Sequence, residues 1–497
     1  MKKLLLSHLF GLLCISSFSQ VSPQYNVSFG PFLKEKSILA SNQDLYPVSA
    51  LPPVLGEVHP ELAAALQYTL DSLTAEYGVV GLSGALLLPN GDVWKGTSGI
   101  NKLNGDTIST DMRLGMGSVT KTMTAAVIMQ LVEENTISLN DSLYQWLPPY
   151  PNVDSTITIR QLLNHTSGIF NYTDNPAFGN FLNQNLGNAV EPEFILENYV
   201  PAPAFQPGAS WGYSNTNYLL LGLIIEAATG NAYDAEVRAR LLEPLGFTTM
   251  TLHPDEMPNG PVADLWYDLT GNGIPDPWTG SGIPLTGFFS MAWAAGAMMT
   301  TPEDLAHWVK YLMTGQVVNQ NTLDQMMQTI PLSSTFGYGL GVINIKVNGN
   351  NWWGHEGSIG YLTVAYYSPD LDISMVLISN ATPTDNLGDI YFALAQTYLD
   401  FQPNAVNVQS LKNNHLVVFP NPFHADFFLQ IDLEHPSPAT ISVTNQLGEN
   451  IQRQHGVSLQ RGLNNLTIPG AENWPNGLYQ VQVLGNGWAL TEQVLKQ

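Results

Sequence analysis

Strand-like patterns stand at both ends of one long segment, and nothing else in the chain restricts its fold as much. At the front, "GLSGALLLPNGDVWKGTSG" holds two apolar runs around Pro89-Asn90-Gly91, a hairpin signal. At the back, "FGYGLGVINIKVNG", "NWWGHEGSIGYLTVAYYSP" and "ISMVLISNA" read as further strands. Helical patterns lie between them. One opens at Ser118, short helices and loops fill 136–290, and "TPEDLAHWVKYLMTG" starts at a capping-box-like Thr301-Pro302-Glu303-Asp304. Two more flank the strands: "ELAAALQYTLDSLTAEYG" from Glu61 and "LGDIYFALAQTYLD" before 401. The sheet must therefore be assembled from both ends around a helical insertion. This predicts an α+β domain over 55–401, an antiparallel sheet flanked by helices with a helical subdomain.

Hydrophobic residues make up 44% of the 497-residue chain and charged residues 12%, enough for a large core and too little charge for a disordered protein. The opening "MKKLLLSHLFGLLCISSFSQ" has a positive start (Lys2, Lys3), an apolar run and a small-x-small cleavage site at Ser17-Phe18-Ser19. It reads as a secretory signal peptide over 1–19, too short for a stable membrane span, and no transmembrane segment is expected in the mature chain. The only cysteine, Cys14, lies in that signal behind bulky Leu13, a poor lipidation site. Disulfides and thiol chemistry are thus excluded from the mature protein. The whole chain carries a net charge of −24, and loss of the signal removes two lysines more. Such a chain is repelled by nucleic acid and anionic lipid, so neither is expected as a partner.

Residues 20–54 are polar and irregular and read as an N-terminal extension. Residues 402–414, "QPNAVNVQSLKNN", suit a linker. Beyond them, over 415–497, short alternating runs separated by Gly, Pro and Asn predict a small all-β sandwich.

The chemistry points to "LGMGSVTKTMTAAVIMQLVEEN". Ser118 and Lys121 stand three residues apart, on one face of a helix that opens near Ser118. A serine hydroxyl needs a base to become a nucleophile, and a lysine beside an apolar face has a lowered pKa and serves as one. The helix N-terminus adds free backbone N–H groups for a developing oxyanion. The competing reading is plain: Ser118 as an N-cap and Lys121 snorkelling to solvent. Two further elements favour chemistry. Tyr213-Ser214-Asn215 opens another apolar helix, and His355-Glu356-Gly357 lies on a strand whose glycines permit close backbone approach. His355 is alternatively a satisfied core histidine. It is no zinc-protease site, because Ile359 stands where the second histidine is needed. His165 in "NHTSG" reads as structural. "YDLTGNGIPDP" places Asp268, Thr270, Asn272 and Asp276 around Gly273, part of a calcium-loop pattern without its closing glutamate. A polar surface turn is the other reading, so no cofactor is expected beyond this weak calcium candidate.

Together these motifs resemble the serine β-lactamase and penicillin-binding-protein superfamily, in its class C β-lactamase and D-alanyl-D-alanine carboxypeptidase-like branch, which orders Ser-x-x-Lys, Tyr-x-Asn, then Lys- or His-x-Gly. "ITIRQLLNHTSGI", "ISLNDSLYQWLP" and "AAGAMMTTPEDLAHWVKYLMTG" look like the same family. The resemblance implies Ser118 as acylated nucleophile, with Lys121 and Tyr213 sharing its proton. Asn215 would orient Lys121 or a substrate amide. His355 would polarise Tyr213 or hold substrate, and Gly357 closes the third motif. The backbone N–H groups of Ser118 and Ser358 would form the oxyanion hole. Which of Lys121 and Tyr213 is the base stays open. Glu356 departs from the family's usual Thr or Ser. Facing the cleft it would repel a substrate carboxylate and favour neutral esters, amides or amine-bearing peptides; facing away, as strand alternation allows, it would not.

The tail, through Pro420-Asn421-Pro422, Gly448, Gly462 and Gly477-Leu478-Tyr479, resembles the C-terminal sorting domain of the type IX secretion system of Bacteroidetes. That implies handling by the secretion machinery and a place outside the cell or on its surface. The expectation is a secreted serine hydrolase of small ester, amide or peptide substrates. The alternative is a catalytically silent surface binding protein on the same fold.

Overall fold

The computed structural model describes residues 58–401 and 415–496, apart from breaks at 269–271, 283, 385, 434–435, 446–449 and 486–487. The signal peptide, N-terminal extension, linker and Thr270 lie outside the described residues. The chain divides into two compact units, up to Gln402 and from Pro403.

In the first unit the hairpin forms as its turn residues dictate. β1 (Gly81–Leu87) pairs antiparallel with β2 (Val93–Gly99). The later strands are β3 (Ile330–Pro331), β4 (Phe336–Tyr338), β5 (Ile343–Val347), β6 (Asn350–Ile359), β7 (Tyr361–Ser368) and β8 (Ile373–Ser379). They join the hairpin in one antiparallel sheet of order β2-β1-β8-β7-β6-β5-β4-β3. The expected assembly from both ends of the segment is therefore what forms.

Strand alternation gives the sheet two buried faces. On one, α1 (Pro60–Tyr77) and α5 (Leu387–Asp400) pack over Leu82, Leu86, Val364, Tyr366 and Met375. Leu62, Leu66 and Leu70 recur every four residues along α1, and each fully buried leucine stabilises the fold by about 1.5–3 kcal/mol. The other face meets the helical subdomain, which contains α2 (Thr120–Glu133), α3 (Thr216–Thr229) and α4 (Pro302–Met313). Thr301 caps α4 by accepting from the Asp304 N–H, as its capping signal predicts. Helix α2 is buried nearly all round, from Thr120 to Met129, so its polar side chains must find partners inside the protein.

The second unit is the expected all-β module. β9 (His415–Phe419), β10 (Phe427–Leu433) and β13 (Gly462–Ile468) form one sheet, in the order β9-β10-β13. β11 (Ser437–Asn445), β12 (Asn450–Leu459), β14 (Gly477–Gly485) and β15 (Trp488–Lys496) form a second, in the order β12-β11-β14-β15. Phe427, Leu429, Ile431 and Leu433 alternate inward along β10, toward Ile441, Val443, Val481 and Val483.

Candidate active site

Ser118 sits on a tight 3₁₀ turn, Gly117–Val119, that leads into α2. Before it, Leu114-Gly115 pairs with Met299-Thr300, and the Met116 N–H donates to the Met298 carbonyl. Two glycines set how closely this turn meets β6. Gly117 has φ +52, and a β-carbon there would fall 2.4 Å from the Ser358 nitrogen. A β-carbon on Gly357 would fall 2.0 Å from the Met116 oxygen and 2.9 Å from the Ser118 nitrogen. Larger residues would push the turn and the strand apart. The approach brings Ser118 and Ser358, whose amides are the expected oxyanion pair, together at the wall of a cleft. That cleft encloses about 500 Å³, part of it open to solvent, and Ser118, Tyr172, Asn215, Met291, Ser358 and Thr382 are among its lining residues.

Lys121 is 0% exposed. Its Nζ lies 3.0 Å from Ser118 Oγ, 2.7 Å from Asn215 Oδ1 and 2.6 Å from the Ala295 carbonyl. All three partners are uncharged, and burial drives the ammonium pKa well below its ordinary value. In its deprotonated form the amine has two N–H donors and one lone pair. Asn215 Oδ1 and the Ala295 carbonyl can only accept, so they take both donors. The lone pair is left for the Ser118 hydroxyl.

Tyr213 hydrogen-bonds Ser118, and its ring centroid lies 5.0 Å from Lys121 Nζ. Burial, opposed by the Ser118 bond and assisted by the Glu356 charge, raises its pKa, so the phenol stays protonated. Asn215 is held in turn: its N–H donates to Asn171 Oδ1 at 2.9 Å and its Nδ2 to Thr173 Oγ1 at 3.3 Å.

His355 takes a different place from the one the motif implied. It is buried, its Nε2 faces Tyr338 Oη at 3.0 Å, and its Nδ1 faces the Glu356 carbonyl. With both nitrogens engaged it hydrogen-bonds neither Tyr213 nor anything in the cleft. Burial, with the nearby Lys121, lowers its pKa to about 3, so it is neutral.

Glu356 turns away from the cleft. It pairs opposite Val364, while Gly354 pairs opposite Tyr366, so these residues share the sheet face under α1 and α5. Its carboxylate accepts from Tyr366 Oη at 3.1 Å. The repulsion expected of a cleft-facing glutamate does not arise, because strand alternation turns the side chain away. Burial pushes the half-buried carboxyl up to about 7, with the Tyr366 bond opposing.

Of the calcium-loop residues, Asp268, Asn272 and Asp276 are described. Asp268 accepts from the N–H groups of Asn272 and Gly273, Asn272 Oδ1 accepts from the Ile274 N–H, and Asp276 pairs with Tyr267 in a short ladder. Among the described residues no group of three or more His, Cys, Asp or Glu is placed to hold a metal.

A family model described as Beta-lactamase matches residues 66–398. The chain belongs to the β-lactamase family. A second model, the secretion system C-terminal sorting domain, matches residues 417–497. This β-lactamase-family chain is 26% identical over 276 residues to the putative penicillin-binding protein PbpX of Bacillus subtilis, across 55% of this chain and 64% of the relative. It is 32% identical over 196 residues to penicillin-binding protein 4 of Amycolatopsis lactamdurans, across 38% and 49%. The chain thus spans less than two thirds of the length of these curated relatives. Among solved structures it is similar to a D-stereospecific amidohydrolase from Streptomyces, with a TM-score of 0.59, 32% identity, and coverage of 67% of this chain and 98% of that one. It also resembles the D-amino acid amidase of Ochrobactrum anthropi, with a TM-score of 0.60, 25% identity, and coverage of 68% and 99%.

Sequence reasoning missed two members of the site. The Ala295 carbonyl is backbone, invisible to any motif, although it lies in the family-like stretch "AAGAMM". Tyr338, between His165 and His355, carried no signal beyond "FGYG". No helix of the described residues is long and apolar enough to cross a membrane.

Proposed function

We propose that the protein is an exported serine hydrolase that cleaves amide or ester bonds in small substrates through an acyl-enzyme on Ser118. The observation that carries this is the fully buried Lys121, whose pKa burial drives well below the ordinary value and whose Nζ lies within hydrogen-bond reach of Ser118 Oγ and of two oxygens, Asn215 Oδ1 and the Ala295 carbonyl, that can only accept. Its lone pair takes the Ser118 proton as Oγ bonds to the substrate carbonyl carbon. The carbonyl oxygen becomes an oxyanion facing the amides of Ser118 and Ser358. Tyr213, still a phenol, gives its proton to the leaving nitrogen or oxygen and is reprotonated by Lys121. A water then attacks the ester carbon and loses a proton to Lys121; as the acyl C–Oγ bond breaks, Lys121 returns that proton to Ser118 Oγ and the acid leaves. This reading assigns the base to Lys121 and the relay to Tyr213.

The described residues that line the cleft have neutral side chains, with no arginine or lysine among them to hold a substrate carboxylate. Together with the likeness to D-amino acid amidases, this supports uncharged amides or esters of D-configured residues over peptides ending in a free carboxylate. The sorting domain supports delivery by the type IX machinery to the cell surface or beyond.

The test is intact-mass analysis of the full chain treated with a fluorophosphonate, beside Ser118→Ala. One adduct on wild type and none on the variant is expected. Turnover should follow on D-amino acid amides and esters before D-alanyl-D-alanine peptides or β-lactams. A folded wild type that takes no adduct, or a Ser118→Ala variant that still hydrolyses, would overturn the reading.

A further inference from the structure

His165 lies behind Tyr213, with ring centroids 4.4 Å apart and planes inclined at 38°. It is buried and holds φ +62, a left-handed backbone that a non-glycine side chain adopts at a cost. Its carbonyl accepts from the Gly212 N–H at 3.0 Å, which ties its loop to the segment bearing Tyr213.

Its ring nitrogens have definite partners. Nδ1 receives the Ser214 backbone N–H at 3.2 Å and Asn217 Nδ2 at 3.2 Å. A backbone N–H can only donate, so Nδ1 carries no proton and Nε2 does. Nε2 lies 3.1 Å from Tyr338 Oη, which therefore accepts from it. Tyr338 Oη lies 3.0 Å from His355 Nε2. His355 Nδ1 faces the Glu356 carbonyl, which can only accept, so the single proton of a neutral His355 sits on Nδ1. His355 Nε2 then accepts, and Tyr338 Oη is placed to donate to it; Tyr338 also hydrogen-bonds Tyr218, whose own hydroxyl donates to the Leu163 carbonyl at 3.0 Å, so Tyr218 Oη is a second acceptor for the same proton. The proton of each histidine is thus placed by a backbone partner that acts in one sense only.

We infer that His165, Tyr338 and His355 form a hydrogen-bonded chain of positioning residues that holds the Tyr213 ring against Ser118. His165 presses on one side of Tyr213. Tyr338 stands edge-on to it at 6.3 Å, and His355 lies beyond at 6.4 Å. None of the three touches the reacting atoms. The two histidines are fixed in opposite tautomers, Nε2–H in His165 and Nδ1–H in His355, and neither exchanges a proton with substrate. The role assigned to Tyr213 rests on Ser118 as nucleophile; the hydrogen-bonded chain itself does not.

The experiment uses the full-length protein labelled with ¹⁵N-histidine. Long-range ¹H–¹⁵N correlations at neutral pH, assigned with single His→Gln variants, report which nitrogen of each ring is protonated. His165 should show Nε2–H and His355 Nδ1–H; His355 with Nε2–H, or either ring doubly protonated, overturns the proposal. Tyr338→Phe removes only the hydroxyl. It should release His355 from a single tautomer and slow fluorophosphonate labelling of Ser118 by about 10- to 100-fold, the scale of a misplaced catalytic group. Labelling at the wild-type rate would overturn the positioning role. Should Tyr338→Phe not fold, His165→Gln is measured instead: slowed labelling supports the role, and labelling at the wild-type rate overturns it. A wild type that never labels refutes the nucleophile, while the tautomers still decide the hydrogen-bonded chain.

Discussion

In the unit of residues 415–496 the interior is Phe423, Phe427, Leu429, Ile441, Val481 and their apolar neighbours, joined by Ser437, Ser442 and an edge lysine, Lys496, that reaches the His424 carbonyl. In the unit of residues 58–401 an antiparallel sheet also supplies a face of the core, but Lys121, His165, His355, Asn215 and Asn217 are buried with it. Burying groups of this kind without partners costs several kcal/mol, and each is matched by named acceptors or donors. A fold selected only for stability has no need of them. The contrast is between a polar interior around the candidate site in the first unit and an apolar, packed one in the second.

Four substitutions break or sharpen the contrast. Lys121→Met keeps the buried stem and deletes the amine. Labelling and turnover should fall about 10²–10⁴-fold, the range of a lost general base. Chemical denaturation should show a loss of about 1–3 kcal/mol, because Asn215 Oδ1 and the Ala295 carbonyl lose a donor. Retained labelling would move the base elsewhere.

Gly357→Ala drives a methyl into the Met116 carbonyl and toward the Ser118 amide. We expect about a 10- to 100-fold loss of rate from displacement of the oxyanion donors, and about 1–3 kcal/mol of strain. An unchanged rate would show that this contact does not set the site.

Glu356→Gln tests the pH response. The folded pKa of about 7 lies above the usual carboxyl value. The protonated carboxyl's contribution to stability is fully present below about pH 4.5, where the folded and unfolded chains both hold the proton. It is lost as pH rises through 7, because the unfolded chain gives up the proton first. The glutamine keeps an acceptor for Tyr366 and cannot ionise. The variant's stability relative to wild type should improve by about 1–3 kcal/mol between pH 4 and pH 8; a constant difference would mean an ordinary carboxyl. His355, with its folded pKa near 3, acts in the other direction: its stabilisation is complete above about pH 6.5 and is lost as pH falls toward 3.

Val483→Ala, in the second unit, should have the smallest effect on chemistry. It should weaken that unit by about 1–2 kcal/mol through lost burial and leave kcat and KM unchanged. An altered kcat would remove the division of labour.

Much of the first unit was legible because its signals are local. Helix α5 begins and ends where "LGDIYFALAQTYLD" does, and Thr301 caps α4 with its own side chain. Ser118 and Lys121 meet because they stand one helical turn apart. Less legible were the groups whose meaning depends on distant partners. The sequence makes His165 look structural and His355 functional, yet both belong to one hydrogen-bonded chain through Tyr338. Glu356 has two readings until strand register sets it opposite Val364.

The amino-acid order by itself determined the α+β plan, the change to an all-β tail, and the serine–lysine pair at the mouth of a buried helix. Periodicity, turn chemistry and short spacing act over a few residues, so they can be read along the chain. Tertiary structure decided that Lys121 is stripped of water and left with two carbonyl acceptors, that His355 faces Tyr338, and that Glu356 turns from the cleft. Those outcomes depend on which groups meet once the strands and helices have packed, often across long stretches of sequence. Burial and hydrogen-bond direction, which set the protonation of each group, exist only after that meeting.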